Sequence, residues 1–224
     1  MMIEATKRVR PSTPSGRSVF LAALLVGIAL GVFSLLADGI VGGRLFTILG
    51  NLAAPWGLAA FFVGYRAASP RQGALVGALA LVVGVATYYL GGAIRGYVVA
   101  EANVVWTAIA LVAGPIMGLC GSLVSNHRER PPVAAVAAPS AMLVAEAIFL
   151  VIDRRPWLFD LGAETYRLID LGVIAALLIG GLVLPWVYVK QRRRRGLVYL
   201  VVAAAGTCGA FGFVLLQRLI AGLV

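Results

Sequence analysis

The stretch Ala141-Met-Leu-Val-Ala-Glu-Ala-Ile-Phe-Leu150 is an apolar run that carries a single carboxylate, Glu146. It lies within the apolar segment 132–152, and about 20 mainly apolar residues are enough to cross the hydrocarbon core of a bilayer. A carboxylate near the middle of such a helix costs roughly 2.5–3.5 kcal/mol, so it normally faces a partner, a bundle interior or a water-filled cavity. The stretch therefore predicts a membrane helix with one ionisable group that needs a specific role.

The rest of the chain has the same character. Of its 224 residues, 61% are hydrophobic and 12% are charged, whereas soluble domains carry about 25% charged residues. Segments long enough to span a membrane occur at 18–38, 45–66, 72–92, 103–125, 132–152, 168–189 and 197–220. We predict an all-α integral membrane protein with about seven transmembrane helices, a basic tail at 1–17 and a single transmembrane domain at 18–224.

The basic residues predict the orientation of the bundle. If the N-terminus and alternate loops share one side, that side collects 13 of the 19 Lys and Arg residues, and the other side receives 6. Cytoplasmic loops carry the excess of positive charge, so we predict the N-terminus inside and the C-terminus outside. Because the charges are dispersed among short loops, nucleic-acid binding is not indicated.

The densest basic run extends from Lys190 to Arg195. It is explained by anchoring of a cytoplasmic loop, and it is also a candidate site for anionic lipid or an acidic partner. The candidate side chains are those of Arg192, Arg193, Arg194 and Arg195.

The sequence lacks the motifs of common enzyme and cofactor sites. It contains no His-Glu-x-x-His, no Gly-x-Ser-x-Gly, no Walker A loop and no Cys-x-x-Cys. We predict no catalytic residue, no metal site and no cofactor. An intramembrane enzyme, in which Glu146 acts with an outer residue such as Asp153 or Asp170, is a third alternative.

Glycines recur at four-residue spacing in three spans, as the pairs Gly27 and Gly31, Gly73 and Gly77, and Gly114 and Gly118. Such pairs let helix backbones approach closely in membranes. We predict that they pack the bundle, and the alternative is that they dock another membrane protein. Pro115 and Pro185 lie inside predicted spans and are expected to bend or locally break them.

Several neighbouring spans place polar or amphipathic side chains at similar heights, counted at about 1.5 Å per residue. If these faces converge, they form an outward-facing pocket for a small solute. The ligand-binding candidates are Glu146, Asn51, Trp56, Tyr88, Tyr89 and Trp106. The alternatives are an interfacial belt for the tyrosines and Trp106, and a structural hydrogen bond for Glu146 with Asn51, a tyrosine or a backbone group.

These residues also carry a family resemblance. The segment Asn51 to Gly64, the pair Tyr88-Tyr89, Trp106 followed by Ala113-Gly-Pro-Ile-Met-Gly118, and Glu146 resemble an actinobacterial family of small multi-pass membrane proteins, a domain of unknown function. The resemblance implies a bacterial inner-membrane protein and no particular activity. The large excess of Arg, which makes up 17 of the 19 basic residues, suits a bacterial source.

More distantly, the predicted architecture, a small helical bundle with an outward-facing pocket, is similar to that of the substrate-binding S components of energy-coupling-factor vitamin transporters. That similarity implies a pocket facing outward and contacts between a coupling subunit and Ala22, Ala23, Gly27 and Gly31. Those proteins usually have six spans, whereas seven are predicted here.

The leading prediction is therefore binding or transport of a small solute. The alternative is a non-enzymatic assembly or regulatory partner of a membrane complex. The expected partners are the lipid bilayer, a small-molecule ligand, and a membrane protein or a second copy of this chain.

Overall fold

The protein is a bundle of α-helices in a computed structural model that describes residues 16–39, 43–96, 100–153 and 164–223. The helices are α1 (Gly16–Gly39), α2 (Arg44–Asn51), α3 (Ala53–Tyr65), α4 (Pro70–Ile94), α5 (Ala100–Asn126), α6 (Val133–Asp153), α7 (Glu164–Tyr188) and α8 (Arg192–Leu223). Six are long and apolar enough to cross a membrane, and α2 and α3 together make a seventh candidate. The prediction of an all-helical, multi-pass membrane protein is confirmed.

The direction of the helices shows that α2 and α3 together cross the bundle once. Helices α1 and α4 pack in parallel, because Gly27 lies against Ala80 and Gly31 lies against Gly84. The chain passes from the end of α1 to the start of α4 only by returning through the bundle, and α2 and α3 are the segment that returns. The α2–α3 pair is therefore a candidate for a seventh crossing, beside the six single helices that are long and apolar enough to cross a membrane.

The return crossing is broken at Leu52, whose backbone is extended (φ −73°, ψ 136°), and the two halves meet at 52°. Pro55 explains the position of the break, because proline has no N–H and its ring clashes with the carbonyl four residues earlier, here that of Asn51. In the first turn of a new helix a proline is tolerated. The predicted span at 45–66 thus consists of two helices separated by this break.

The prolines expected to break other spans do not end their helices. Helix α5 continues through Pro115 and α7 continues through Pro185. Proline is tolerated inside membrane helices where neighbouring groups or small local adjustments satisfy the freed carbonyl. The local break therefore lies next to Pro55 and not at the two prolines that the sequence analysis selected.

Glycines form the closest contacts between helices. At each of the six predicted packing glycines, an added Cβ atom would lie closer than 3.0 Å to an atom of the neighbouring helix. Gly27 and Gly31 contact α4, whereas Gly73 and Gly77 of α4 meet the glycine pair of α5. These surfaces are used inside the bundle. Gly27, Gly31 and the buried Ala23 are therefore not free to contact a coupling subunit, as the S-component similarity implied.

The bundle has two chemically different ends. Helices α4 and α5 are antiparallel, as are α6 and α7, so the connections 66–69, 127–132 and 189–191 lie at the end where α1 begins. We call this the basic end, because its described basic residues are Arg17, Arg66, Arg71, Arg128, Arg130, Lys190 and Arg192 to Arg195. The opposite end holds the last turn of α1 and the first turn of α2.

Candidate functional site

Glu146 binds the start of the half-helix α3. Its side chain projects from α6 and the residue is 4% exposed. The N–H of Ala53 donates to Oε1 at 2.5 Å, and the N–H of Ala54 donates to Oε2 at 2.6 Å. The first N–H groups of a helix have no carbonyl partner within it, and the next residue, Pro55, has no N–H. Glu146 thus satisfies the donors of a helix that begins inside the bundle.

This geometry matches the structural alternative for Glu146, a hydrogen bond to a backbone group. Both carboxylate oxygens are engaged by backbone donors, and the residue does not line the cavity described below. A negative charge is also favourable at the positive end of a helix. Glu146 therefore holds the start of α3 in place, and a role for it in binding a ligand stays a prediction.

A cavity of about 170 Å³ lies beside the junction of α2 and α3. Its walls come from six helices: Ser34 and Asp38 of α1, Gly50 and Asn51 of α2, Ala53, Trp56 and Gly57 of α3, Leu81, Val85, Tyr88 and Tyr89 of α4, Trp106, Ile109, Ala110 and Ala113 of α5, Met142 of α6, and Leu52 at the break. These positions are in the half of the bundle away from the basic end.

Five of the six predicted ligand-binding residues meet around this cavity: Asn51, Trp56, Tyr88, Tyr89 and Trp106. The rings of Tyr88 and Tyr89 are perpendicular, with centroids 5.2 Å apart. The structure therefore brings together side chains from α2, α3, α4 and α5 that the sequence analysis selected only by their height in the membrane. Their role in binding a ligand stays a prediction.

Asp38 is the residue of this cavity that the sequence analysis missed. Its Oδ1 accepts a hydrogen bond from Asn51 Nδ2 at 2.6 Å, and its Oδ2 accepts one from Tyr88 Oη at 2.6 Å. Four residues earlier and on the same face of α1, the Ser34 hydroxyl donates to the carbonyl of Gly50 at 2.9 Å. The four-residue spacing of Ser34 and Asp38 in an apolar helix is the sequence signal that could have identified this face.

The first turn of α2 is held by a partly buried ion pair. Arg44 Nε donates to Oδ1 of Asp170 at 2.9 Å and its Nη2 donates to Oδ2 at 2.5 Å. The Asp170 side chain is 2% exposed, and the guanidinium lies 5.0 Å from the centroid of the Tyr166 ring. The sequence analysis named Asp170 only as an outer residue and did not pair it with Arg44, which lies 126 positions away along the chain. Helix α2 is thus fixed to α7 at its start and to α1 at its end.

The basic cluster Arg192 to Arg195 forms the first turn of α8. Arg195 stacks on Trp186 at 5.2 Å and donates to the carbonyl of Lys190 at 3.1 Å, whereas Arg192 and Arg193 are exposed. Positive side chains are unfavourable at a helix start, so the cluster does not serve to stabilise α8. Lipid anchoring and partner binding both stay predictions for it.

Two further predictions concern metals and the outer loop. Within the described ranges, no group of three or more His, Cys, Asp and Glu side chains is arranged to hold a metal ion. Residues 1–15 of the basic tail and residues 154–163 of the outer loop lie outside the part that the structure describes.

Comparison with known proteins adds one finding. A family model described as a family of unknown function (DUF6518) matches residues 10–221, a range that includes every residue lining the cavity. No curated protein and no solved structure matches the chain.

Proposed function

Since this chain belongs to that family of unknown function, we propose from the geometry of its cavity that it binds or transports a small solute. The observation that carries the proposal is the convergence of Asp38, Asn51 and four aromatic side chains on one cavity inside a membrane bundle. Ligand sites combine mainly apolar walls with a few placed polar groups. An interfacial belt alone would not bring these groups to a shared space.

The cavity has a size that suits a small molecule. A cavity needs about 10–15 Å³ to hold one water molecule. This cavity, at about 170 Å³, offers many times that volume. Its polar side chains Asp38 and Asn51 are exposed, whereas Leu81 and Ala110 on the inner wall are buried. This arrangement supports a ligand that enters past polar groups and rests among apolar ones.

The broken crossing supports a role in transport as well as in binding. Transporters commonly build their substrate sites at discontinuous helices, where irregular backbone lines a cavity. Here the break at Leu52 lies in the cavity wall. The short α2 packs against α7 partly through an open groove lined by Leu45, Leu49 and Leu168.

We propose a bacterial inner-membrane location with the N-terminus in the cytoplasm. The clustering of basic connections at the end where α1 begins supports this orientation, since positive loops are retained inside. The cavity then opens away from the cytoplasm. The last described residues of α8 lie at the same outer end.

The other functional classes have less support. The glycine pairs that would dock a partner are occupied between helices, so a partner role rests on Arg192 to Arg195. We also propose that the chain is not an enzyme, because the described residues lining the cavity include one carboxylate, Asp38, and no His, Cys, Lys or Arg. The other titratable groups in the lining are the phenols of Tyr88 and Tyr89, and the sequence contains none of the enzyme motifs named above.

A ligand screen on matched tryptophan variants tests the proposal. The purified protein in detergent is screened by thermal shift against amino acids, vitamins, nucleosides, sugars, amines and organic acids. A ligand of the cavity stabilises the wild type and has a much smaller effect on Trp106→Ala. Trp186→Ala is the matched control, because Trp186 is 68% exposed on α7 and lies outside the cavity.

The outcomes are distinct. A compound that stabilises the wild type and Trp186→Ala but not Trp106→Ala supports a solute site in the cavity. If no compound class stabilises the protein, or if the stabilisation is unchanged in Trp106→Ala, the proposal fails. Uptake of the same compound into proteoliposomes, measured with and without a membrane potential, then separates transport from binding alone.

A further inference from the structure

Charge distinguishes this cavity from a neutral apolar pocket. Among the described residues that line it, Asp38 is the only one that carries a formal charge. Its two hydrogen-bond donors, Asn51 and Tyr88, are neutral. The nearest cation along the chain, Arg44, is paired with Asp170 and does not line the cavity. The cavity therefore has a net negative charge that no described side chain neutralises.

The carboxylate retains capacity for a further interaction. An ionised carboxylate has about four acceptor sites, and each Asp38 oxygen accepts one hydrogen bond in the structure. The two bonds also fix the orientation of the group, because Asn51 belongs to α2 and Tyr88 belongs to α4. Asp38 is thus an oriented anion at the mouth of the cavity.

The walls supply the second component of a cation site. Trp56, Tyr88, Tyr89 and Trp106 approach the cavity from three helices, and the perpendicular rings of the two tyrosines face different directions. A cation is attracted to an aromatic face within about 6 Å of the ring centroid, and aromatic cages are a common means of recognising alkylated ammonium groups. Inorganic ions instead require several oxygen ligands.

The same site is unsuitable for an anion. The obvious anion-binding group beside the cavity is the N-terminus of α3, but Glu146 already occupies its donors at Ala53 and Ala54. The end of α2, at Gly50 and Asn51, presents the negative end of a helix to the cavity. An anionic solute would therefore meet Asp38 and a helix C-terminus without a free backbone donor.

We propose that the solute is an organic cation, an ammonium group with small apolar substituents, held between Asp38 and the aromatic walls. This rests on the proposed solute-binding function and adds the chemical class. Asp38 supplies the counter-charge, while Trp56 and Trp106 contact the substituents. Asn51 and Tyr88 position the carboxylate.

The test compares cations with neutral molecules of the same shape. The purified protein is titrated with choline, tetraethylammonium, butylammonium and phenethylammonium, and with neutral analogues in which carbon or oxygen replaces the nitrogen. Binding is followed by tryptophan fluorescence and by thermal shift. We expect at least one ammonium ion to bind about tenfold or more tightly than its neutral analogue, as desolvated cation–π and charge interactions allow.

Asp38→Asn identifies the source of the preference. The variant keeps the size of the side chain and removes its charge, so the ratio of cation affinity to neutral-analogue affinity should fall toward one. A purely structural defect would weaken both affinities together and leave the ratio unchanged, which would overturn the role of Asp38. Asp38→Glu, which retains charge, should keep the preference if Asp38→Asn does not fold. Asp153→Asn is the matched control, because Asp153 lies at the same end of the bundle as Asp38 but does not line the cavity.

The remaining outcomes separate the two proposals. A neutral or anionic compound that binds best, in a manner that depends on Trp106, overturns the cation proposal and leaves solute binding intact. Stabilisation by sodium or potassium ions alone also overturns it. If no compound of any charge binds, both the ligand class and the proposed function are refuted.

Discussion

Replacing Glu146 with glutamine should destabilise the bundle at one defined place, the start of α3. Glutamine retains one oxygen acceptor, but it directs an amide NH₂ group toward the second backbone donor. The two donors now bound, Ala53 N–H and Ala54 N–H, lie 2.5 and 2.6 Å from the carboxylate. One of them would lose its acceptor inside the bundle.

The expected loss of stability follows from these contacts. A buried donor without a partner costs about 1–3 kcal/mol, and the remaining hydrogen bond weakens because its acceptor is no longer charged. Removing a charge from the interior offsets part of this loss. We expect a net decrease of about 2 kcal/mol in the free energy of unfolding, which corresponds to about 4–8 °C in Tm for a chain of this length.

Thermal unfolding in detergent measures the effect, with Glu129→Gln as the matched control. Glu129 is exposed in the connection between α5 and α6, so its replacement should change Tm by about 2 °C or less. Hydrogen exchange provides the local measurement, since the amides of Ala53 and Ala54 should exchange faster in Glu146→Gln. If Glu146→Gln unfolds at the same temperature as the control and these amides keep their protection, the helix-start role of Glu146 is refuted.

Three further predictions concern packing and orientation. Arg44→Met should lower the free energy of unfolding by about 3 kcal/mol, because it leaves Asp170 buried without a partner, and combining it with Asp170→Leu should recover most of that loss. Thermal unfolding of the single and double variants measures this, and additive losses would contradict the prediction. Gly77→Ala should destabilise the protein by about 1–3 kcal/mol through overpacking against α5. Gly212→Ala is the control, because a Cβ atom added there meets no atom within 4 Å, and it should be neutral or slightly stabilising. Equal unfolding temperatures of the two variants would refute the packing argument. Alkaline phosphatase fused after Val224 should be active, because we place that end outside the cytoplasm; an inactive fusion with a cytoplasmic reporter active at the same site would reverse the orientation.

Much of the architecture was predictable from local patterns. The seven predicted spans coincide with the helices or the helix pair of the structure to within a few residues, because the length of an apolar segment alone decides whether it can cross a bilayer. The break in 45–66 was not predicted, although Pro55 was present in the sequence. Proline also occurs in unbroken helices such as α5 and α7. The presence of a proline therefore does not by itself predict whether the helix will break there or whether neighbouring groups will accommodate it.

The candidate site was predictable in its members but not in its contacts. Asn51, Trp56, Tyr88, Tyr89 and Trp106 were selected by depth and chemistry, and all of them line the cavity. Depth follows from position along each helix. The rotation of each helix about its own axis does not, and that rotation decides which side chain faces the cavity and which faces a neighbouring helix.

The sequence by itself determined the helical membrane class, the positions of the apolar segments and the separation of basic from less basic loops, since hydrophobicity and charge act locally along the chain. Only the tertiary structure decided that Glu146 binds the start of α3, that Asp38 joins the cavity, and that Arg44 pairs with Asp170. These contacts connect positions 93, 50 and 126 residues apart. A polar group inside a bundle must find a partner, but which partner it finds depends on how distant helices pack.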